Sequence, residues 1–174
     1  GSGRRASEKK FLCLSLERKS NEWFEHANWI IKVYCPEATP QDTIKLWENN
    51  FMMVDRNHMT PEDIISCVEQ FRDEMGDLDM LAIDYLGYLA SGFKGKDTYE
   101  RTSNAIKSVK GLSKELKIAT YTPHQVSRLT DTGEEPELGA GRDSGVTEET
   151  ADFVFALWAD DQKKGAEERK GHVP

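Results

Sequence analysis

The chain alternates short continuous apolar runs with longer segments whose apolar residues recur every three or four positions. Phe11-Leu-Cys-Leu-Ser-Leu16 is one such run and predicts a buried strand. Ser20 offers an N-cap to the next helix, which carries Trp23, Ala27, Ile30 and Tyr34 on one face and ends before Pro36. Thr39-Pro40 opens a short second helix through Trp47, and Phe51-Met-Met-Val54 is the next strand. Thr60-Pro61-Glu62-Asp63 combines a cap, a proline at the first helical position and acids in the first turn, and Ile64, Val68, Phe71 and Met75 follow at helical spacing. Met80-Leu-Ala-Ile83 is a strand ending in Asp84, and a polar loop with Gly92 and Gly95 comes after it. Asp97 and Glu100 have the spacing of a capping box for a helix marked by Ile106, Val109, Leu112 and Leu116. Ile118–Thr122 reads as a strand, 130–145 as a mobile loop and Phe153–Trp158 as the last strand, with 160–172 charged and exposed.

Strands separated by helices require crossover connections. The predicted fold is therefore α/β, a parallel sheet with helices on both faces. In such sheets ligands bind beyond the carboxyl ends of the strands. The residues there are Glu17, Asp55, Asp84, His124 with Gln125, and Asp160.

The 174 residues suit one domain with a sizeable core. Hydrophobic residues make up 37% and charged residues 31%, which is globular and on the polar side. No apolar run approaches the roughly 20 residues of a membrane span, and the start has no signal-peptide pattern. Cys13, Cys35 and Cys67 are widely spaced and form no C-x-x-C, which predicts reduced thiols in a cytoplasmic protein. His26, His58, His124 and His172 have no zinc-ligand spacing. The net charge of −8 excludes binding to nucleic acid through a broad basic surface, so any such contact has to be local. Trp23, Trp29, Trp47 and Trp158 could stack on bases, but at these positions core or interface packing is the expectation.

Three strand-end residues carry candidate chemistry. Asp84 closes an apolar strand, where nucleotide hydrolases place an acid for magnesium; taken alone, an aspartate capping a loop is the commoner reason. Glu17 follows the first strand, where a carboxylate can polarise an attacking water; a helix-entry acid beside Arg18 and Lys19 is the plain alternative. Gln125 follows the fourth strand and could sense a γ-phosphate, or be a surface residue after Pro123.

In combination these segments resemble the C-terminal RecA-like ATPase domain of DnaB-type replicative helicases. Asp79-Met-Leu-Ala-Ile-Asp84-Tyr-Leu-Gly resembles the family's Walker B segment, and Ser15-Leu16-Glu17 its motif with the catalytic glutamate. His124-Gln125-Val-Ser-Arg128 resembles Ser-Gln-Leu-x-Arg. Arg142-Asp143-Ser144-Gly145-Val-Thr-Glu-Glu-Thr-Ala-Asp152 resembles Arg-Glu-Ser-Gly-x-Ile-Glu-Gln-Asp-Ala-Asp, which borders the DNA-binding loop. All four occur in the family's order between Phe11 and Trp158.

The resemblance implies an ATP-driven DNA helicase motor using ATP and Mg2+, assembled as a ring, a hexamer by the family's pattern, around single-stranded DNA. By position it implies that Glu17 activates water, Asp84 serves magnesium and Gln125 reads the γ-phosphate. Arg128, Arg142, Asp143 and Gly145 would meet the DNA. Asp143 stands where the family commonly has Glu, and His124 where it commonly has Ser. The family's phosphate loop, Gly-x-x-x-x-Gly-Lys-Ser/Thr, does not occur in the 174 residues; Gly92-Phe-Lys-Gly95-Lys96-Asp97 has another spacing and follows Asp84. The expected organisation is a linker at 1–10, a RecA-like helicase core at 11–160, and a charged tail or the start of a further segment at 161–174. The expected reading is a piece of a longer helicase that alone hydrolyses ATP negligibly. The alternatives are a non-catalytic RecA-like interaction module and an ATPase of RecA or KaiC type outside replication.

Overall fold

The computed structural model describes residues 9–124 and 144–155. They fall into two units, one up to His124 and one from Gln125 onward.

The first unit is built on a four-stranded, wholly parallel sheet in the order β2-β1-β3-β4. The strands are β1 (Phe11–Ser15), β2 (Phe51–Asp55), β3 (Met80–Asp84) and β4 (Ala119–Tyr121). Leu12, Cys13 and Leu14 are all buried. Successive side chains of a strand point to opposite faces, so both faces of β1 are covered.

Helices α1 (Ser20–Tyr34) and α2 (Pro40–Asn50) connect β1 to β2. Helix α3 (Pro61–Met75) carries the chain from β2 across β1 to β3, and α4 (Leu86–Ser91) with α5 (Thr98–Leu116) leads to β4. Ile64, Cys67, Val68 and Phe71 of α3 are buried, as are Ile106, Val109 and Leu112 of α5. This is the periodicity expected of helices lying on a sheet.

The helix starts follow local chemistry. Thr39 with Asp42, and Thr60 with Asp63, each close a reciprocal capping box ahead of a proline at the first helical turn. Asp97 accepts from the Glu100 amide, but the Glu100 carboxylate reaches the Lys96 amide rather than that of Asp97, so only half of the expected box forms. Ser20 is not the cap of α1; it is the first helical residue, and its amide donates to Asp55.

Three expectations need correction. The segment after Asp84 is not loop throughout, because Leu86, Leu89 and Ala90 bury one side of α4. Residues 144 and 145, read as the end of a loop, begin α6 (Ser144–Thr150) of the second unit. Of the strand expected at 153–158, residues 156–158 lie outside the described residues; the apolar run Phe153-Val-Phe155 forms no ladder, and all three side chains are exposed. An apolar run shows that a segment could be buried; a strand also needs a partner for its N–H and C=O groups.

Helix α1 has no buried residue, and Trp29 is 59% exposed, so of the core or interface packing expected for it the core is excluded. Phe24 packs on Trp47, and Trp47 on Phe51, tying α1 to α2 and β2.

Candidate functional site

The strand order gives the first unit one topological switch point. From β1 the chain crosses to β2 on one side; from β3 it crosses to β4 on the other. The connections therefore diverge between the carboxyl ends of β1 and β3, where parallel α/β sheets leave a crevice for ligands. Ser15 aligns with Asp55 on one neighbour and with Asp84 on the other. The ladder continues one bond further, with the Leu16 amide donating to the Asp84 carbonyl at 2.7 Å. Glu17 is thus placed directly beyond that bond, exposed on the turn that leads to α1. The structure brings Glu17 and Asp84 to the same edge of adjacent strands.

Their electrostatics agree with this proximity. Burial pushes the Asp84 carboxyl above its ordinary value, the negative charge of Glu17 pushes it further, and Arg18 pulls the other way. The Tyr85 phenol is raised by burial and then by Glu17, Tyr88 and Asp84. Behind the sheet edge the Cys13 thiol is pushed up to about 12, mainly by burial and further by Asp84. Two carboxylates share a partly dry edge with one nearby cation.

This arrangement has a stability consequence. A carboxylate whose folded-state pKa is raised holds its proton more tightly when folded than when unfolded. Stability therefore falls as pH rises through that interval, and above it the folded chain carries the full penalty. Asp84→Asn removes the charge, so the variant is expected to be more stable than the wild type at neutral pH. The gain should shrink as pH falls into the range where Asp84 becomes protonated. Thermal unfolding across pH 4–8 checks this, and a variant less stable at neutral pH would contradict it.

The chain beyond β4 runs back along the same edge. The Thr122 hydroxyl donates to the Ile83 carbonyl at 3.0 Å, and the Leu86 amide to the Pro123 carbonyl at 3.1 Å. His124, the last described residue of this unit, therefore follows a segment bonded to either side of Asp84. Gln125, Arg128, Arg142 and Asp143 lie outside the described residues. Gly145 lies in α6 of the second unit and is exposed.

Two residues make bonds here that the sequence does not announce. Asp55 is a strand-end acid, yet its carboxylate caps the amide of Ser20, which holds its own pKa below the usual range. Trp23 reads as a packing aromatic, but its indole N–H donates to the Ser15 hydroxyl. The strand-end position of Asp55 is read from the sequence; nothing in the sequence pairs Asp55 with Ser20 or Trp23 with Ser15.

Comparison with known proteins adds the context. The family model described as DnaB-like helicase C terminal domain matches residues 35–173. The replicative DNA helicase DnaB of Haemophilus influenzae is 30% identical over 127 residues, covering 71% of this chain and 27% of that protein. The replicative DNA helicase DnaB of Geobacillus stearothermophilus is 31% identical over 114 residues, 64% of this chain and 25% of that protein. The chain thus spans about a quarter of the length of these curated relatives. Among solved structures, the ATPase domain of G40P superposes with a TM-score of 0.72 at 21% identity, covering 92% of this chain and 63% of that one. A DnaB-like replicative helicase, described with its interactions with primase, also gives 0.72, at 23% identity, covering 93% of this chain and 44% of that one. The sheet and its helices therefore have the RecA-like fold of those ATPase domains.

Proposed function

The chain belongs to the DnaB-like helicase C-terminal domain family, and from this premise we propose that it forms part of an ATP-driven motor that moves on single-stranded DNA during replication. The observation that carries the proposal is the meeting of Glu17 and Asp84 at the switch point between β1 and β3. In this reading nucleotide binds beyond that edge. The Glu17 carboxylate orients the attacking water and takes its proton. It is exposed, makes no hydrogen bond or ion pair among the described residues, and is free to do so. Gln125 follows the segment bonded beside Asp84 and would contact the γ-phosphate.

The donor set fits magnesium. The ion prefers hard oxygen ligands and usually takes only one or two carboxylates, completing its shell with water and substrate phosphates. Asp84 would hold it, and its raised proton affinity beside Glu17 marks a place where a cation relieves repulsion. When bound, the ion supplies charge neutralisation on the phosphates. In this reading the phosphate-gripping loop, absent from these 174 residues, would have to be supplied from elsewhere.

Arg128, with the segment Arg142–Gly145, would grip the DNA backbone. A ring of subunits, a hexamer in this reading, would sum such weak contacts, which lets an acidic chain bind an anion. No helix among the described residues is long and apolar enough to cross a membrane. Cys13, Cys35 and Cys67 are free thiols, and the cytoplasm is the compartment proposed.

In the full-length protein, Arg128→Ala is expected to weaken single-strand binding about equally for all sequences and to reduce the salt slope by roughly one phosphate contact. Hydrolysis in the absence of DNA should survive. A variant that binds DNA normally but loses basal hydrolysis would move Arg128 to the nucleotide site. Absence of any DNA binding or ATP turnover by the wild type would favour the non-catalytic interaction module instead.

A further inference from the structure

Glu17 owes its place to its backbone, since its side chain makes no hydrogen bond or ion pair among the described residues. That backbone is fixed from both sides. The Leu16 amide is held by the Asp84 carbonyl at 2.7 Å, and the Arg18 carbonyl accepts from the Ser15 hydroxyl at 2.6 Å. Ser15 is itself 1% exposed, and its hydroxyl oxygen accepts from the Trp23 indole N–H at 3.0 Å. Hydroxyl and indole thus form a short relay, Trp23 to Ser15 to the Arg18 carbonyl, which fixes the direction of the hydroxyl proton. At the far end of the turn Asp55 of β2 accepts from the Ser20 amide at 3.0 Å. The neighbouring Arg56 amide donates to the Ser15 carbonyl, which anchors β2 to the same point.

We propose that Ser15, Trp23 and Asp55 are positioning residues that clamp the turn of residues 16–20 and thereby aim the Glu17 carboxylate at the crevice beside Asp84. None of the three touches nucleotide in this reading; each acts through the backbone on either side of Glu17. The inference rests on the hydrolytic role proposed above for Glu17. A misplacement of about 1 Å in a reacting group can cost on the order of 10²-fold in rate, so loosening one anchor should act on turnover more than on nucleotide binding.

The test compares Asp55→Ala, Asp55→Asn and Trp23→Phe in the full-length protein. Asn keeps an oxygen that accepts from the Ser20 amide, and Phe keeps an aromatic ring, smaller and without the donor. Two readouts are taken: hydrogen exchange of the peptide spanning residues 16–22, and kcat and KM for ATP. Asp55→Ala and Trp23→Phe should speed exchange of that peptide about tenfold and lower kcat about tenfold with KM unchanged. Asp55→Asn should stay within about twofold of wild type in both. Unchanged exchange in Asp55→Ala and Trp23→Phe overturns the clamp whatever the activity. Faster exchange with unchanged kcat overturns its role in aiming Glu17. Equal damage in Asp55→Asn and Asp55→Ala also overturns it, because the charge rather than the anchoring bond would then matter. Failure of the underlying function looks different: wild type itself would show no turnover, and the proposal would fall with it.

Discussion

Glu17→Gln in the full-length protein is expected to slow ATP turnover by roughly 10²–10⁴-fold, the usual contribution of a positioned general base. Glutamine keeps the shape and can still hydrogen-bond, but it cannot take the proton of the attacking water. Nucleotide affinity should hold or rise slightly, since one carboxylate less faces the phosphates. The turn itself should be unaffected, because it is held through the Leu16 amide and the Arg18 carbonyl and not through the Glu17 side chain. Steady-state turnover together with equilibrium binding of an ATP analogue separates these effects. A variant that binds nucleotide less tightly but turns over normally would make Glu17 a binding residue only.

Phe71→Ala should have the largest effect on stability. Phe71 is fully buried on α3, at 0% exposure, on the helix that carries the chain from β2 across β1 to β3. Removing a ring from such a site costs about 3–5 kcal/mol, the transfer term plus the cavity left behind. Total stabilities of about 5–15 kcal/mol make that a large share. Phe71→Leu should cost less, because more of the space stays filled. Urea unfolding followed by circular dichroism measures both variants. A loss below about 1 kcal/mol for Phe71→Ala would mean that α3 does not pack as described.

The parts of the fold legible in the sequence are those governed by local rules. Thr39-Pro40 and Thr60-Pro61 announce helix starts through hydrogen bonds closed within three residues. Strands β1 and β3 are continuous apolar runs because both faces of a parallel sheet are covered. Helix α4 escaped because it is a six-residue segment containing Gly87, too short for a period to stand out. Phe153–Phe155 misled in the opposite way, offering an apolar run with no pairing partner among the described residues.

The same boundary runs through the site. Glu17 and Asp84 are visible one by one as acids at strand ends. The parallel-sheet reading already puts both at one edge on neighbouring strands, as the structure has them; the full order, with β1 between β2 and β3, is encoded by no local pattern. The bond from Ser20 to Asp55 joins residues 35 positions apart, and the relay from Trp23 to Ser15 depends on how α1 leaves the sheet. Such contacts exist only once the strands are in register.

The most direct test of the account is a double-mutant cycle on ATP turnover with Glu17→Gln, Asp84→Asn and their combination, measured in the full-length protein with saturating magnesium and single-stranded DNA. Groups that act together in one site are strongly non-additive. The account predicts that each single variant loses at least about 10²-fold in kcat and that the double variant is about as slow as the slower single one. Wild-type turnover in either single variant would contradict it, because Glu17 and Asp84 would then not serve one hydrolytic site.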